Sequence, residues 1–589
     1  MIPPSVEVVQ VDGIERAWVE GVPVLGHRAG APVPEGLPPI PAGVGEPAIV
    51  WDGGWRGVRV ETVRAPRSPA VWRVFRGEGG QRLALDLLSR TASADVWEFN
   101  PVVSSLERVE LTGLVVPDAL VGQAILARSC DDAEVSSSLL QPSLCHATSS
   151  HAEPDASGDF VYPFDPEGPV DGLAEVQLYH QATTTVDWMR SALGVTLPTP
   201  IVAHANFPWA NAFYGDFDGD AVADISFGQA DGVDLGYDGD VVTHELGHAA
   251  VALLSPDLPF VTADGWGLEW AGGAVNEGAA DVFAMLRSGD PLVGEYAGGA
   301  FGDDAVRDLS TPRRCPDHLI GEVHHDGEIF GSFAWSLIDD PAVGPDLVGE
   351  LLVGAIPKWG PGASWDRVGA AVRAAADELV ELGVATPEQR TRIGQALDRS
   401  GMEGCGRSIP LDDGRSVELA LFNVGLEGEL ARLPGAVQLT LEVPTHADDV
   451  WVDVRGFSGT EGLRWALYAR AGEPVGHEAS DLGGLGLGYA VPTTWDQQIE
   501  GGGPDRAWRL DAAPLRGQTL YLSVASVNDG SLIPLEAAFG RLEVSAFAAV
   551  VAAPEPPGGC ATGGPGGRLG WLWVGVAAVV RRARRPPAR

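Results

Sequence analysis

The sequence predicts a multidomain α+β protein: a β-rich N-terminal unit, a mixed unit with a mainly helical second half, and a C-terminal β-sandwich. Three observations predict it. The chain has 589 residues, too many for one ordinary core, and about 150 residues per domain suggests three or four units. Its first and last parts alternate apolar and polar residues in short pieces broken by Gly and Pro, as half-buried strands do. Between them the apolar residues recur at helical spacing.

Taken in order, residues 1–115 contain "AVWRVFRG" and "RVELTGLV" and read as a β-rich domain. Residues 116–170 form a linker in which Cys130 and Cys145 bracket a polar Ser/Asp-rich stretch. At residue 171 the texture changes, and residues 171–405 form one unit. Here "GLAEVQLYHQATTTVDWMRSAL", "DVVTHELGHAAVALL", "GAVNEGAADVFAML" and "SWDRVGAAVRAAADELVEL" read as helices and "IVAHANF" as a strand. Residues 410–548 return to alternation in "VQLTLEV", "DVWVDV", "LRWALYA" and "TLYLSVASV", with Val437, Leu439, Leu441 and Val443 on one face. Residues 549–589 are a Pro/Gly linker and a tail.

With 39 basic against 81 acidic residues the formal net charge is -42. Such a field repels phosphate, so no nucleic-acid partner and no anionic membrane surface is expected. Of the five cysteines, Cys130, Cys145, Cys315, Cys405 and Cys560, none lies in a C-x-x-C pair, which argues against a thiolate metal site or a thioredoxin-like centre. Two disulfides in an oxidising compartment are the simplest arrangement: Cys130 with Cys145, and Cys315 with Cys405 across a helical region. Cys560 is left over.

The start, "MIPPSVEVVQVDGIERAWVEG", has neither a basic n-region nor an apolar h-region, so no secretory signal is expected there. The tail places Cys560, an apolar run at 569–580 and a terminal arginine cluster in that order. A stable transmembrane helix needs about 17–25 apolar residues, so as a membrane anchor the run is short. The same order resembles the myxobacterial C-terminal sorting tag. That resemblance implies export, processing near Cys560 by a sorting protease, display at the cell surface or outer membrane, and membrane contact only through the tag.

The stretch "DVVTHELGHAA", residues 240–250, holds an H-E-x-x-H motif. On a helix His244 and His248 share a face and can present ring nitrogens to one metal, while Glu245 reaches a metal-bound water. A catalytic zinc needs a third protein ligand and an open position. The metzincin continuation would need Gly at 251 and His at 254, but Val251 and Leu254 stand there, so the third ligand lies elsewhere. Downstream, "VNEGAADVF" places Glu277 and Asp281 four apart, so that one carboxylate can bind metal and the other can hydrogen-bond a ligand histidine.

H-E-x-x-H followed by N-E-G-x-x-D resembles the gluzincin metallopeptidases, nearest to the fungalysin branch of the thermolysin-like enzymes. "NAFYG", residues 211–215, is similar to that family's substrate-binding edge strand, and "VHHDGEIFGSFAW", residues 323–335, follows in the expected order. The resemblance covers about residues 171–400; "EFNPVVSSLERVELTGL" and "YPFDPEG" extend it weakly toward an inhibitory propeptide-like N-terminal domain, hence a zymogen. The C-terminal module resembles the pre-peptidase C-terminal type of accessory domain.

The resemblance implies one catalytic Zn2+ on His244, His248 and Glu277, with Glu245 as general base and Asp281 fixing a ligand tautomer. Asn211 and Ala212 would hold a protein or peptide substrate as an added strand, and the V-H-x-x-G-E register carries the oxyanion-binding histidine onto His324, with His325 its rival. The expected activity is that of a secreted zinc metalloendopeptidase with a preference for bulky apolar residues just after the scissile bond. The family's tyrosine between zinc helix and third ligand has no counterpart from His248 to Glu277, which leaves the second oxyanion donor unassigned. The alternative is a surface adhesion or binding protein that keeps the peptidase fold without turnover; an intact Glu245 argues against it.

A further candidate is Ca2+. "DFDGDAVAD" sets Asp216, Asp218, Asp220 and Asp224 at calcium-loop positions, but Ala221 and Phe227 replace the usual Gly and Glu. A solvated acidic turn is the competing reading.

Overall fold

Seven short strands, Val6–Val11, Ile14–Val19, Val22–Val24, Glu46–Trp51, Trp55–Arg64, Val71–Arg76 and Arg82–Leu87, pair in sequence order into an N-terminal sheet. Every neighbouring pair is antiparallel except the third with the fourth. Ala48 and Val58 form a small buried cluster of their own there. The computed structural model describes residues 6–549 apart from 12–13, 20–21, 25–45, 52–54, 65–70, 77–81, 88–91, 116–118, 135–143, 156–157, 210, 216–223, 231, 412–414, 423–430, 459–463, 482–487, 503–504 and 529–538. The chain divides into one unit, Met1–Ala549, and a C-terminal segment, Val550–Arg589. That segment, with Cys560 and the run 569–580, lies outside the described residues. Among the described residues no helix is long and apolar enough to cross a membrane.

A second sheet underlies the candidate site. Its strands run in the order Leu144–Ser149, Ile125–Glu134, Ile201–Phe207, Asp224–Ala230, Ala212–Gly215, with Val233–Asp234 paired onto Asp224–Ala230. The three middle strands are parallel and both flanking pairs antiparallel. Residues 116–170, expected as a linker, thus contribute two strands, and Cys130 and Cys145 on them pair across neighbouring strands with Cα atoms 5.7 Å apart. The hairpin Ala92–Trp97 with Leu106–Leu111 buries Ala92, Ala94 and Val96 in the same core.

Helix α1, Gly172–Ala192, lies against this sheet, and Asp171 caps it by accepting from Leu173 N at 2.8 Å. Leu173, Val176 and Tyr179 are fully buried. Gln177 ties the helix to the hairpin, accepting from Trp97 N and donating to Trp97 O, both at 3.0 Å. Among the described residues six more α-helices follow: α2 Gly239–Leu254, α3 Ala271–Ser288, α4 Val323–Ile338, α5 Gly344–Ala355, α6 Trp365–Glu381 and α7 Pro387–Ser400. The ends of α7 show why it starts and stops there. Thr386 and Gln389 form a capping box with Pro387 in the first turn, and Gly401 ends the helix at φ 67°. Cys315 and Cys405 tie the segment before α4 to the segment after α7, with Cα atoms 5.6 Å apart.

The C-terminal strands form two facing sheets. One runs Ser408–Pro410, Gln438–Glu442, Thr519–Asn528, Arg464–Ala471, Gln497–Gly502; the other runs Ser416–Phe422, Phe539–Ala549, Asp449–Ser458, Asp505–Asp511. Leu439, Leu441, Val450, Val452, Val454, Leu522 and Val524 are buried between them, each large aliphatic side chain contributing roughly 1.5–3 kcal/mol. The sandwich shares one continuous apolar core with the helical unit. Trp270, at the start of α3, meets Phe422 edge-on at 5.2 Å. Arg407, only 7% exposed, pairs with Glu269 at 3.1 Å and Asp264 at 2.7 Å. Ala420 N donates to Ile320 O at 2.7 Å, just ahead of α4. The whole is a mixed helix-and-sheet, multidomain architecture, as the alternation and helical spacing predict.

Candidate metal and catalytic site

Three helices meet at the site because glycines let them approach. A Cβ on Gly247 of α2 would lie 2.8 Å from Ala280 Cα of α3, and one on Gly278 of α3 would lie 2.5 Å from Gly327 O of α4. Any side chain there would push the helices apart. These glycines stand inside the three motifs, so the motif spacing serves packing as well as chemistry. Asp238 caps α2 by accepting from Asp240 N at 3.1 Å.

The close approach brings His244, His248 and Glu277 together, each offering a ligand atom within 4.8 Å of the others. His244 Nε2 and His248 Nε2 are 3.1 Å apart, and Glu277 Oε2 is 3.2 Å from the first and 3.6 Å from the second. The outer nitrogens are both engaged. His244 Nδ1 bonds Asp281 Oδ1 at 2.8 Å and His248 Nδ1 bonds Asn276 Oδ1 at 3.0 Å. Both partners are acceptors, so each Nδ1 carries a proton and each Nε2 can turn a lone pair inward. Glu277 Oε2 is buried without a hydrogen-bond partner. Three electron-rich atoms facing one another require a positive charge between them. A proton on His244 can supply it: burial lowers the basicity of this imidazole, but the Asp281 hydrogen bond and charge override burial and raise it to about 9. A divalent cation can supply it too, and two imidazoles with one carboxylate, each imidazole backed by an outer acceptor, is a donor set that suits zinc.

Charge is distributed to match. Burial would raise Glu277, but the His324, His248 and His244 charges hold its carboxyl well below the usual range. Asp281 is lowered in the same way, burial being outweighed by Arg307. Glu245 goes the other way: burial pushes its carboxyl up, partly offset by His248 and His244. A carboxylate made more basic in this way suits proton transfer.

His324 and His325 separate clearly. His324 sits in the first turn of α4, 53% exposed at its side chain, with Nε2 3.6 Å from Glu277 Oε2. Its Nδ1 bonds Glu322 Oε1 at 2.7 Å, and the charges of Glu277 and Glu322 raise its pKa. His325 turns away toward Glu328, 3.6 Å off, and burial with the charges of Arg313 and Arg541 lowers it to about 4. A cleft of ≈ 80 Å³ opens beside these groups, lined by His244, Glu245, His324, Arg307, Asn211 and Ala212. Its apolar wall is Leu235, Val241, Val293, Phe301 and Val306. Ala212 belongs to the edge strand Ala212–Gly215, whose outer rim pairs with no other strand among the described residues. A larger groove of ≈ 510 Å³ elsewhere holds none of these residues.

Three contributors escaped the sequence reading. Arg307 donates to both Asp281 oxygens, at 2.8 and 2.7 Å; Asn276 holds His248; Glu322 caps α4 and holds His324. Of the calcium candidates, Asp216, Asp218 and Asp220 lie outside the described residues, while Asp224 is buried with its Oδ2 3.9 Å from His204 Nε2. A different acidic group, Asp238, Asp240 and Glu295, gathers at metal-ligand spacing. There burial and the Asp238 charge push Asp240 well up, and Asn100 Nδ2 donates to Glu295 Oε2 at 3.0 Å.

No family model and no curated protein matches this chain. Among the solved structures similar to part of it, two cover about a quarter of the chain. One is the surface-associated copper-binding protein CorA of Methylomicrobium album BG8, at 9% identity and a TM-score of 0.17, covering 24% of this chain and 98% of that one. The other is the pre-peptidase C-terminal domain of a collagenase from Bacillus anthracis, at 17% identity and a TM-score of 0.14, covering 24% and 93%.

Proposed function

We propose that this chain is a zinc-dependent metalloendopeptidase of the gluzincin type, similar to the fungalysin and thermolysin-like enzymes. The observation that carries the reading is the convergence of His244 Nε2, His248 Nε2 and Glu277 Oε2, with both Nδ1 atoms engaged outward. These three residues would hold the ion, which when bound polarises the scissile carbonyl and acidifies a water.

The remaining work belongs to the chain's own residues. Glu245 accepts the proton of the attacking water and delivers it to the leaving amine; its burial and raised basicity suit both transfers. His324, kept in orientation by Glu322, donates from Nε2 to the oxygen that gains charge. Asp281 and Asn276 fix the ring orientations of His244 and His248. The outer rim of Ala212–Gly215 offers main-chain hydrogen bonds to an extended substrate. The apolar wall of Leu235, Val241, Val293, Phe301 and Val306 beside His324 and Arg307 supports a preference for a bulky apolar residue just after the scissile bond. Export and surface display through the tail at 549–589 are part of the same proposal, supported by its sequence order.

The test is digestion of casein by the purified full chain, before and after limited proteolysis that releases the N-terminal domain, with and without a chelator, beside Glu245→Gln. Chelator-sensitive cleavage that zinc restores is expected, and the variant should keep zinc while its kcat falls by several orders of magnitude. A zinc-loaded wild type that cleaves nothing either before or after that proteolysis, or a variant that cleaves as fast, would overturn the reading in favour of a binding protein.

A further inference from the structure

The C-terminal sandwich reaches the turn that starts α4. Ile320 O accepts from Ala420 N at 2.7 Å, and Ala420 stands on the sandwich strand Ser416–Phe422. Gly321 follows with φ 89°, and a Cβ there would lie 3.1 Å from Ala436 Cβ and 3.2 Å from Ala420 O, both in the sandwich. Only glycine combines that backbone with so close an approach. From the helix side buried Asp326 holds the same turn, accepting from Ile320 N at 2.8 Å and Gly321 N at 3.0 Å. Glu322 comes next. Its carboxylate accepts from His324 N at 3.2 Å and His325 N at 3.0 Å, and bonds His324 Nδ1 at 2.7 Å. Its Oε2 is 3.9 Å from Nη2 of Arg541, which stands on the sandwich strand Phe539–Ala549 and also donates to Glu418 at 3.4 Å. The same device recurs at α3, the helix of Glu277: Glu269 accepts from Ala271 N at 3.0 Å and pairs at 3.1 Å with Arg407, at the start of the sandwich.

We propose that Arg541 is a positioning residue for catalysis: from the sandwich it holds Glu322, and Glu322 aims His324. The inference rests on the peptidase reading and makes the sandwich a working part of the catalytic site rather than a detachable appendage. Arg541 and His325 N share Oε2 of Glu322, which leaves Oε1 to the His324 ring and so fixes which way the carboxylate turns. The ring it fixes carries Nε2 3.6 Å from Glu277 Oε2. The side chains of Arg541 and Glu322 are 36% and 12% exposed, and an ion pair of this kind is worth a factor of about 5 at most. Arg541 therefore tunes the aim of His324 and does not replace it.

The experiment compares wild type, Arg541→Met, Arg541→Lys, His324→Ala and Arg541→Met in the His324→Ala background, all full-length and zinc-loaded. Peptide hydrolysis is measured before and after limited proteolysis that releases the N-terminal domain, and hydrogen exchange is followed over residues 320–330. Arg541→Met should lower kcat about 3-fold to 5-fold with little change in KM, and Arg541→Lys should restore most of it. In the His324→Ala background the same substitution should change nothing, because the residue it acts through is gone. The His324 and His325 amides should exchange faster in Arg541→Met, with zinc content at the wild-type value. A wild-type kcat in Arg541→Met, or an equal loss in both backgrounds, overturns the positioning role and leaves the peptidase reading standing. Unchanged amide exchange shows that Glu322 does not need Arg541, and overturns the proposal whether or not the chain cleaves peptides. If zinc-loaded wild type cleaves nothing, the peptidase reading fails and the catalytic role of Arg541 falls with it.

Discussion

Arg307 grips Asp281 with two parallel hydrogen bonds, Nε to Oδ2 at 2.8 Å and Nη2 to Oδ1 at 2.7 Å. Asp281 is fully buried and spends Oδ1 a second time on His244 Nδ1, so the guanidinium lets it remain an anion where it orients that ring. Arg307→Met would leave the carboxylate without its counter-charge. Zinc affinity should fall about 10–100-fold, and breaking a buried pair from one side should cost about 3–5 kcal/mol of stability. Competition against a chromophoric chelator and a urea titration read the two effects. Unchanged zinc affinity in a folded variant would show that Asp281 does not need Arg307 to hold His244.

The two adjacent histidines of α4 should behave differently. His324→Ala should lower kcat by about 100-fold to 1000-fold with little change in KM, because its Nε2 faces the ligand cluster. His325→Ala should leave kcat near wild type, since that ring faces Glu328. Reversed losses in steady-state kinetics would place the donor one residue later.

A pH dependence of stability follows from Asp234. It is completely buried; burial pushes its carboxyl up to about 8, against the opposing hydrogen bond from Gly236 N. The folded chain therefore holds this proton at pH values where the unfolded chain has released it. Its contribution is full below pH ~4 and declines as pH rises toward 8, by about 1.4 kcal/mol per pH unit within that window. Asp234→Asn removes the titration, so relative to wild type it should gain stability steadily from pH 5 to 8. Denaturant midpoints across that range measure it, and a constant difference would contradict the assignment.

What was legible in the sequence was what helical periodicity encodes. His244 with His248, and Glu277 with Asp281, sit four apart on single helices, so their shared faces follow from local geometry alone. The cysteine brackets were legible because each pair encloses one segment. Arg307 was not, because it stands on a two-residue strand, Arg307–Asp308, and reaches Asp281 only through tertiary folding. Asn276 and Glu322 were hidden for a related reason: a cap and an outer hydrogen bond depend on how helices are stacked. The glycines at 247, 278 and 327 stand in plain sight inside the motifs, but their role, close helix approach, depends on which helices pack together. Strand Ile125–Glu134, paired on both sides, lacks the clean alternation of an exposed sheet, so residues 116–170 read as a linker.

The central claim is that His244, His248 and Glu277 together hold one catalytic zinc, and the zinc content of purified protein tests it most directly. About one equivalent per chain should be found in the wild type and in Glu245→Gln, since three ligands are intact in both. His244→Ala and Glu277→Ala, each folded by circular dichroism, should lose most of it. Zinc retained at wild-type stoichiometry in both ligand variants would contradict the account.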